Sequence, residues 1–193
     1  MKHIIAGFAF ATAAFVAQAA VVEFVPSSRT VLIGDTFTVD IIGTGFPATV
    51  DGGGFDIGLS SPGTIRFVVP GADLTVADIT FATGWNFLIS PGVLDGGAGT
   101  GTVKDLFFNA LPGVSGPDFT IATLKFMATA RGESDIFLTA NAFAFGSNGD
   151  AVSVDFSKAE VVVVPEPSTW VLLAGGLLLG GWVAAKRNRG DRR

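Results

Sequence analysis

Seven short runs along the middle of the chain have the residue pattern of β-strands. Four of them alternate apolar and polar residues, and the other three are rich in β-branched or aromatic residues. Both patterns are typical of strands with one or both faces buried. The runs are residues 36–41, 54–60, 64–69, 102–108, 122–130, 134–140 and 151–163.

Clusters of Gly, Pro, Asp and Asn separate these runs and predict turns. The turn signals are residues 33–35, 51–54, 61–63, 70–71, 91–92, 95–101, 111–117, 131–133 and 147–150. No stretch between residues 20 and 163 has the period of an amphipathic helix. Many short strands with Gly/Pro punctuation predict an all-β sandwich or jelly roll.

The N-terminus has the three parts of a secretory signal peptide. A basic start is followed by an apolar run over residues 4–16 and by the small residues Ala17 and Ala19 at the spacing of a signal-peptidase site. We therefore predict a signal peptide over residues 1–19, with cleavage after Ala19. A membrane anchor is the alternative, but the apolar run is too short to span a bilayer.

The C-terminus predicts a membrane span. Residues 168–185 carry no charge, and as a helix they would measure roughly 27 Å, close to the bilayer core. Trp170 and Trp182 stand near the two ends, where they suit the lipid–water interfaces. Because the tail after the span is rich in Lys and Arg, we expect it to stay cytoplasmic and the preceding chain to lie outside.

A stiff segment precedes the predicted span. In the sequence Val164-Pro165-Glu166-Pro167 each proline favours extended geometry in the residue before it, which suits a protease substrate or a rigid spacer. This segment, the apolar span and the basic end together resemble the PEP-CTERM sorting signal of bacterial surface proteins. The resemblance implies that residues 164–193 are recognised by a membrane-embedded exosortase, which removes the tail. It also implies an association with exopolysaccharide production.

The composition of the exported part excludes several kinds of site. Once His3 leaves with the signal peptide, the chain has no His, Cys or Tyr, so Ser-His-Asp catalysis and ordinary zinc sites are excluded. Residues 20–167 hold sixteen acidic and six basic residues, a net charge of −10, which argues against a nucleic-acid partner. The 144 residues from 20 to 163 suffice for one domain.

Within that domain three stretches resemble cohesin-type domains. Residues 31–41 place a Gly-Asp turn before a long strand, residues 54–59 are similar to the next core strand, and residues 121–136 are similar to a late hairpin. The resemblance implies a jelly-roll sandwich related to carbohydrate-binding modules. Ser60-Ser61-Pro62 departs from the aromatic-Asp-Pro turn of that family, and residues 72–101 match nothing in it. No partner-binding residue is therefore carried over.

Candidate chemistry in the domain is sparse. The many Asp residues could supply the carboxylate pair of a glycosidase, but turn formation and solubility explain them equally well. The acidic Gly-rich segments 51–54, 95–99 and 148–150 could bind calcium, although none has a recognised calcium motif, and they are also ordinary turn sequences. Trp85 is a candidate sugar-stacking platform, with burial in the sandwich as the alternative.

The sequence thus predicts an exported protein with one cohesin-like jelly-roll β-sandwich between a signal peptide and a C-terminal transmembrane helix. We expect an inner-membrane anchor first and a surface or extracellular location after exosortase processing. The domain is expected to bind or scaffold without catalysis, in association with exopolysaccharide or another surface protein. The alternatives are a cohesin-type protein-interaction module and a glycoside hydrolase. No cofactor or metal is predicted.

Overall fold

The computed structural model describes residues 19–47, 49–70, 76–96, 101–166 and 177–179. Most of these residues belong to strands that form two sheets. In chain order the strands are β1 (Ala20–Val25), β2 (Ser28–Leu32), β3 (Thr36–Thr44), β4 (Thr49–Leu59), β5 (Ile65–Phe67), β6 (Ile79–Phe81), β7 (Leu88–Ser90), β8 (Val93–Leu94), β9 (Thr102–Ser115), β10 (Phe119–Ala128), β11 (Gly132–Ala140), β12 (Gly146–Ser147), β13 (Asp150–Ala151), β14 (Val154–Phe156) and β15 (Lys158–Val164). The predicted all-β sandwich is confirmed.

The predicted signal peptide and membrane span lie almost entirely outside the described residues. Ala19 is described as an exposed residue before β1, and residues 177–179 are helical. Among the residues that the structure describes, no helix is long and apolar enough to cross a membrane.

The first sheet has the strand order β14-β1-β3-β10-β5, and β6 also pairs with β10. β14 runs parallel to β1, whereas β3 is antiparallel to both β1 and β10. Alternation in the sequence accounts for the central strand, because Phe37, Val39 and Ile41 of β3 are buried while Thr36 and Thr38 are exposed.

The second sheet has the order β13-β12-β4-β11-β15-β2. β9 pairs with β4, and β7 and β8 pair with β9. Strands from the middle of the chain therefore extend this sheet beyond β4. β15 is antiparallel to β11 and parallel to β2. The last strand therefore lies between two neighbours and is not an edge strand.

Among the described residues, phenylalanine is the most frequent residue of the core between the sheets. The largest fully buried side chains include Phe24, Phe55, Phe67, Phe108 and Phe126. Their rings touch at several points, with the centroids of Phe67 and Phe126 at 5.1 Å.

The predicted turn at residues 51–54 is wrong and the one at residues 111–117 is wrong in part, because residues 51–54 and 111–115 lie inside strands. Residues 51–54 belong to β4, where Gly53 leaves space for the Phe145 ring, which would lie 2.7 Å from any added Cβ. Residues 111–115 belong to β9, since Val114 and Ser115 pair with the start of β4. At residues 51–54 glycine was interpreted as a break, but it serves close packing there. At residues 111–115 glycine and proline were interpreted as a break, but they lie where β9 pairs with β4 in an irregular register.

A third prediction needs refinement. Residues 151–163 were predicted as one continuous run, but the structure divides them between β13, β14 and β15. β14 belongs to the first sheet, while β13 and β15 belong to the second. The chain therefore crosses between the sheets twice within this stretch. The unassigned segment 72–101 contributes the three short strands β6, β7 and β8.

Candidate functional site

The outer face of the second sheet carries a group of solvent-accessible apolar side chains. We call this group the outer apolar patch. It consists of Leu88, Phe107, Leu111, Phe137 and Phe143. Leu111 is 68% exposed, Leu88 53%, Phe143 40% and Phe137 37%, and Phe107 is half-buried. Phe107 and Phe143 are in ring contact, whereas Phe137 lies beside Gly58, four residues along β4 from Gly54. Exposed apolar side chains that lie on one face mark interaction sites more often than isolated ones do.

The patch rests on glycines of β4. The Cβ of Phe143 would lie 2.8 Å from a Cβ added at Gly54, and the ring of Phe137 occupies the space beside Gly58. Phe107 pairs with Gly54 across the sheet, and its ring lies 4.5 Å from that of Phe143, centroid to centroid. With no side chain on Gly54 and Gly58, the Cβ of Phe143 and the ring of Phe137 can lie directly against the strand.

Hydrogen bonds hold Phe143 in this position. The side-chain amide of Asn141 donates to the carbonyl oxygen of Leu106 at 3.0 Å, and its oxygen accepts from the backbone N–H of Phe143 at 2.9 Å. Asn141 thus fastens the segment after β11 to strand β9. Phe143 is therefore positioned by the hydrogen bonds of Asn141 as well as by its contact with the Phe107 ring.

A second anchor positions the other half of the patch. The side-chain oxygen of Asn86 accepts a hydrogen bond from the N–H of Leu111 at 3.2 Å. Leu88 pairs with Asn109, which places Leu88 diagonal to both Phe107 and Leu111 on one face. The short strand β7 therefore extends the patch beyond β9.

The rim of the patch is mainly acidic. Asp56 lies on the outer face of β4, and its carboxylate accepts the backbone N–H of Asp105 at 2.9 Å. Farther along the rim, Lys104 Nζ lies 2.7 Å from a carboxylate oxygen of Asp95. This hydrogen bond, followed by Coulombic attraction to Asp95, raises the pKa of Lys104 above its ordinary value of 10.5. The ammonium is already paired, which leaves Asp56 and Asp105 to set the sign of the rim.

Trp85 is part of the core. Its side chain is 4% exposed, and its indole N–H donates to the carbonyl oxygen of Thr120 at 3.1 Å. The ring packs edge-on against Phe108 and Phe119. A stacking platform needs an exposed ring face, so the structure corrects the interpretation of Trp85 as a ligand platform in favour of the buried alternative.

The structure brings together two of the three acidic Gly-rich segments, residues 51–54 and 148–150, but not the third. Asp51 lies in β4 and accepts the N–H of Gly149 from the β12–β13 hairpin at 2.9 Å, while Asp95 pairs with Lys104. Residues 97–99 lie outside the described residues. In the part of the chain that the structure describes, no group of three or more carboxylates or other ligating side chains could hold a metal ion.

One pair of carboxylates does lie side by side. Asp135 of β11 and Glu160 of β15 are direct cross-strand partners in a shallow depression that also contains Glu133. Lys158 Nζ lies 2.8 Å from the Asp135 carboxylate, so a cation stabilises this acidic group. The same contact raises the pKa of Lys158 above 10.5. An ion pair on the sheet surface accounts for these residues without a catalytic role.

The predicted sorting segment begins inside the fold. Val164 is the last residue of β15, and its carbonyl oxygen accepts the N–H of Ile33 at 3.1 Å. Pro165 and Glu166 follow and are exposed. Pro167 lies outside the described residues, as does Ala17 of the predicted signal-peptidase site.

Comparison with protein families identifies this C-terminal segment. Residues 163–188 match the model of the PEP-CTERM protein-sorting motif. The chain carries a PEP-CTERM sorting motif. The match starts at Val163, so the PEP-CTERM motif and strand β15 share Val163 and Val164. No curated protein sequence matches the chain.

Comparison with solved structures shows the fold of the domain. It is similar to the seventh ScaB type I cohesin from Pseudobacteroides cellulosolvens, with a TM-score of 0.55, 14% identity, and coverage of 76% of this chain and 93% of that chain. A type II cohesin domain from the cellulosome of Acetivibrio cellulolyticus is similar with a TM-score of 0.56 and 14% identity. That match covers 75% of this chain and 95% of the cohesin. The match to the type I cohesin–dockerin complex Coh-OlpA-Doc918 from Clostridium thermocellum has a TM-score of 0.55 and 10% identity. It covers 76% of this chain and 100% of the matched chain. The resemblance to cohesin domains is confirmed at the level of the fold.

Sequence reasoning missed the outer apolar patch. One signal was available, since two neighbouring residues of a strand point to opposite faces and Phe107 and Phe108 therefore cannot both lie in the core. Phe108 is fully buried, and Phe107 faces outward. No comparable local signal marks Phe143. It joins the patch only because β9 pairs with β4 and Asn141 bonds to β9.

Proposed function

We propose that this chain is an exported, non-catalytic protein-interaction module that an exosortase sorts at the cell surface. The single observation that carries the binding role is the outer apolar patch on the second sheet. The PEP-CTERM motif supports the sorting role and the surface location. The predicted signal peptide would provide export, and the predicted span would anchor the chain before processing.

A protein is the occupant that best fits the patch. Phe107, Phe143 and Leu88 offer apolar contact area, and aromatic residues are enriched at the centres of protein interfaces. The side chains of Asn141 and Asp56, which border these residues, already make internal hydrogen bonds. A type I cohesin with a similar fold was solved in complex with a dockerin, which supports a protein partner here.

The chemistry of the rim defines the partner further. Asp56 and Asp105 border the patch, and the exported part of the chain is strongly acidic. We therefore infer a folded partner with an apolar centre and a basic rim, because complementary charge speeds encounter and rejects wrong partners. The expected link to exopolysaccharide would then pass through the partner or through the sorting pathway. Trp85 is buried and therefore offers no exposed aromatic platform for direct sugar binding.

The test measures how much of the partner the full chain captures, and it compares the original chain with variants of the patch. The double substitution Leu88→Ser and Phe143→Ser should reduce capture of the partner from the host's secreted proteins at least tenfold. The matched control is Val25→Ser, which replaces a residue that is 44% exposed on the first sheet and should leave capture unchanged. Mass spectrometry identifies the captured protein.

Two results would refute the binding role. One is capture that the patch substitutions do not reduce. The other is retention on the host's exopolysaccharide that persists in the double variant, which would favour the carbohydrate-binding alternative. A glycoside hydrolase would instead require hydrolysis that disappears in the variant Asp135→Asn with Glu160→Gln.

A further inference from the structure

The end of the fold constrains where the sorting motif can be cut. Val163 and Val164 belong both to β15 and to the matched PEP-CTERM motif. Val163 is 1% exposed and pairs with Gly132 of β11, while Val164 pairs with Leu32 of β2. The first residues of the motif are therefore held between two strands.

Ile33, which bonds to Val164, lies in a turn that further hydrogen bonds fix in place. Ile33 donates its N–H to Val164 and lies in the turn between β2 and β3. The carboxylate of Asp35 accepts the N–H of Leu32 at 3.0 Å, which closes this turn. The N–H of Gly34 then donates to the carbonyl oxygen of Ala128 at 2.9 Å, which ties the turn to β10 in the first sheet.

This arrangement matters for the chemistry of cleavage. Cutting a peptide bond starts with attack on its carbonyl carbon, and the enzyme's donors must bind the carbonyl oxygen as it gains negative charge. For the bond after Val164, that oxygen already accepts the Ile33 N–H. Every bond farther upstream in β15 has its backbone in the sheet. Reaching any of them would require the strand to open and Val163 to leave the core.

We propose that the exosortase cuts after Pro165 or farther towards the span, so that the domain is released with all of β15 intact. The inference rests on the proposed sorting function and deepens it by placing the scissile bond. Pro165 and Glu166 are exposed and follow the last paired residue, so their carbonyl groups need no unfolding. The C–N bond breaks, the carbonyl carbon bonds to water or to an acceptor nucleophile, and the departing amine takes a proton.

The primary test is the intact mass of the processed full chain in host cells with an active exosortase. The expected product ends at residue 165 or later and lacks the basic tail. A product that ends at Val164 or earlier overturns this inference alone and leaves the sorting role standing. Retention of the whole tail, with no processed product, overturns the sorting role and this inference with it.

A second test asks whether strand opening contributes to processing. Insertion of Gly-Ser-Gly-Ser between Val164 and Pro165 should keep the cut after Pro165 and should not lower the processed fraction. The same insertion between Asn148 and Gly149, in the β12–β13 hairpin, controls for the added residues. A tenfold loss of processing confined to the first insertion would show that the enzyme reads β15 and Pro165 as one continuous segment, and this would overturn the proposal.

A third variant weakens the contact directly. Ile33→Pro removes the N–H that binds the Val164 carbonyl oxygen. If no opening of β15 is needed, the processing rate should stay within twofold of the original chain. Processing that becomes several-fold faster would mean that strand opening limits the reaction, which contradicts the proposed site.

Discussion

The rings of Phe143 and Phe107 are in contact, with their centroids 4.5 Å apart and their planes tilted by 35°, and the Cβ of Phe143 lies against Gly54 of strand β4. The two phenylalanines are distant in sequence and belong to different segments, yet together they form the centre of the outer apolar patch. The contact depends on the absence of a side chain at Gly54. The centre of the patch therefore depends on Gly54, which is itself buried.

Substitution of that glycine should therefore destabilise the domain. In Gly54→Val the new Cβ would lie 2.5 Å from the carbonyl oxygen of Leu106 and 2.8 Å from the Cβ of Phe143. We expect the free energy of unfolding to fall by about 1–3 kcal/mol, measured by urea denaturation. The control is Gly63→Ala, since nothing lies within 4 Å of an added Cβ there. Equal effects of the two substitutions would contradict the packing described.

The two halves of the Phe107-Phe108 pair should behave oppositely. Phe108 is fully buried and contacts the rings of Phe55, Trp85 and Phe145, so Phe108→Ala should cost about 3–5 kcal/mol of unfolding free energy. Phe107→Ala should cost much less, because the ring is half-exposed. Thermal and urea denaturation of both variants test this. Comparable losses would mean that the assignment of the two faces is wrong.

Trp85 should matter for stability and not for ligand retention. Trp85→Phe keeps a ring in the core but removes the indole N–H that donates to Thr120. We expect a loss of about 1 kcal/mol from the missing hydrogen bond and some further loss from the smaller ring. Binding of exopolysaccharide or of the protein partner should stay unchanged in a pull-down. A selective loss of glycan retention with unchanged stability would restore the platform interpretation.

The contact between Lys158 and Asp135 predicts a dependence of stability on alkaline pH. Hydrogen bonding and Coulombic attraction to Asp135 raise the pKa of Lys158 in the folded state above 10.5. The folded state therefore holds this proton more tightly than the unfolded chain, and the stabilisation is fully present below pH 10.5. It is lost as the pH rises through the folded-state value.

The corresponding measurement compares the original chain with Lys158→Met. The difference between their urea midpoints should be constant from neutral pH to about pH 9, since the lysine stays charged there, and should shrink at higher pH. The effect should be small because the ammonium is exposed, and salt should reduce it further. A difference that grows with pH would contradict the sign of the predicted shift.

Local patterns in the sequence predicted a large part of the fold. Alternation identified β3, β10 and β11, because each has one buried and one outward face and its side chains record that difference. The same reasoning failed at residues 51–54, since glycine has no side chain to show whether its position is buried. It also failed at residues 111–115, where a glycine and a proline lie inside a long strand.

The candidate site was less accessible to such reasoning. Trp85 stood out as the single tryptophan of the domain, but its burial depends on Phe108 and Phe119, which come from other strands. The residues of the patch were not identified because each is ordinary by itself. Their significance comes from the face that they share, and that face exists only after β4, β7 and β9 have paired.

By itself the sequence determined the β class, the acidic charge and the sorting signal. All three are properties of composition or of short contiguous segments, so they need no knowledge of distant neighbours. Only the tertiary structure decided that Phe143 covers Gly54 and that Ile33 holds the carbonyl oxygen of Val164. These contacts join residues far apart in the chain, and their physical cause is the pairing and packing of whole strands, which no single segment encodes.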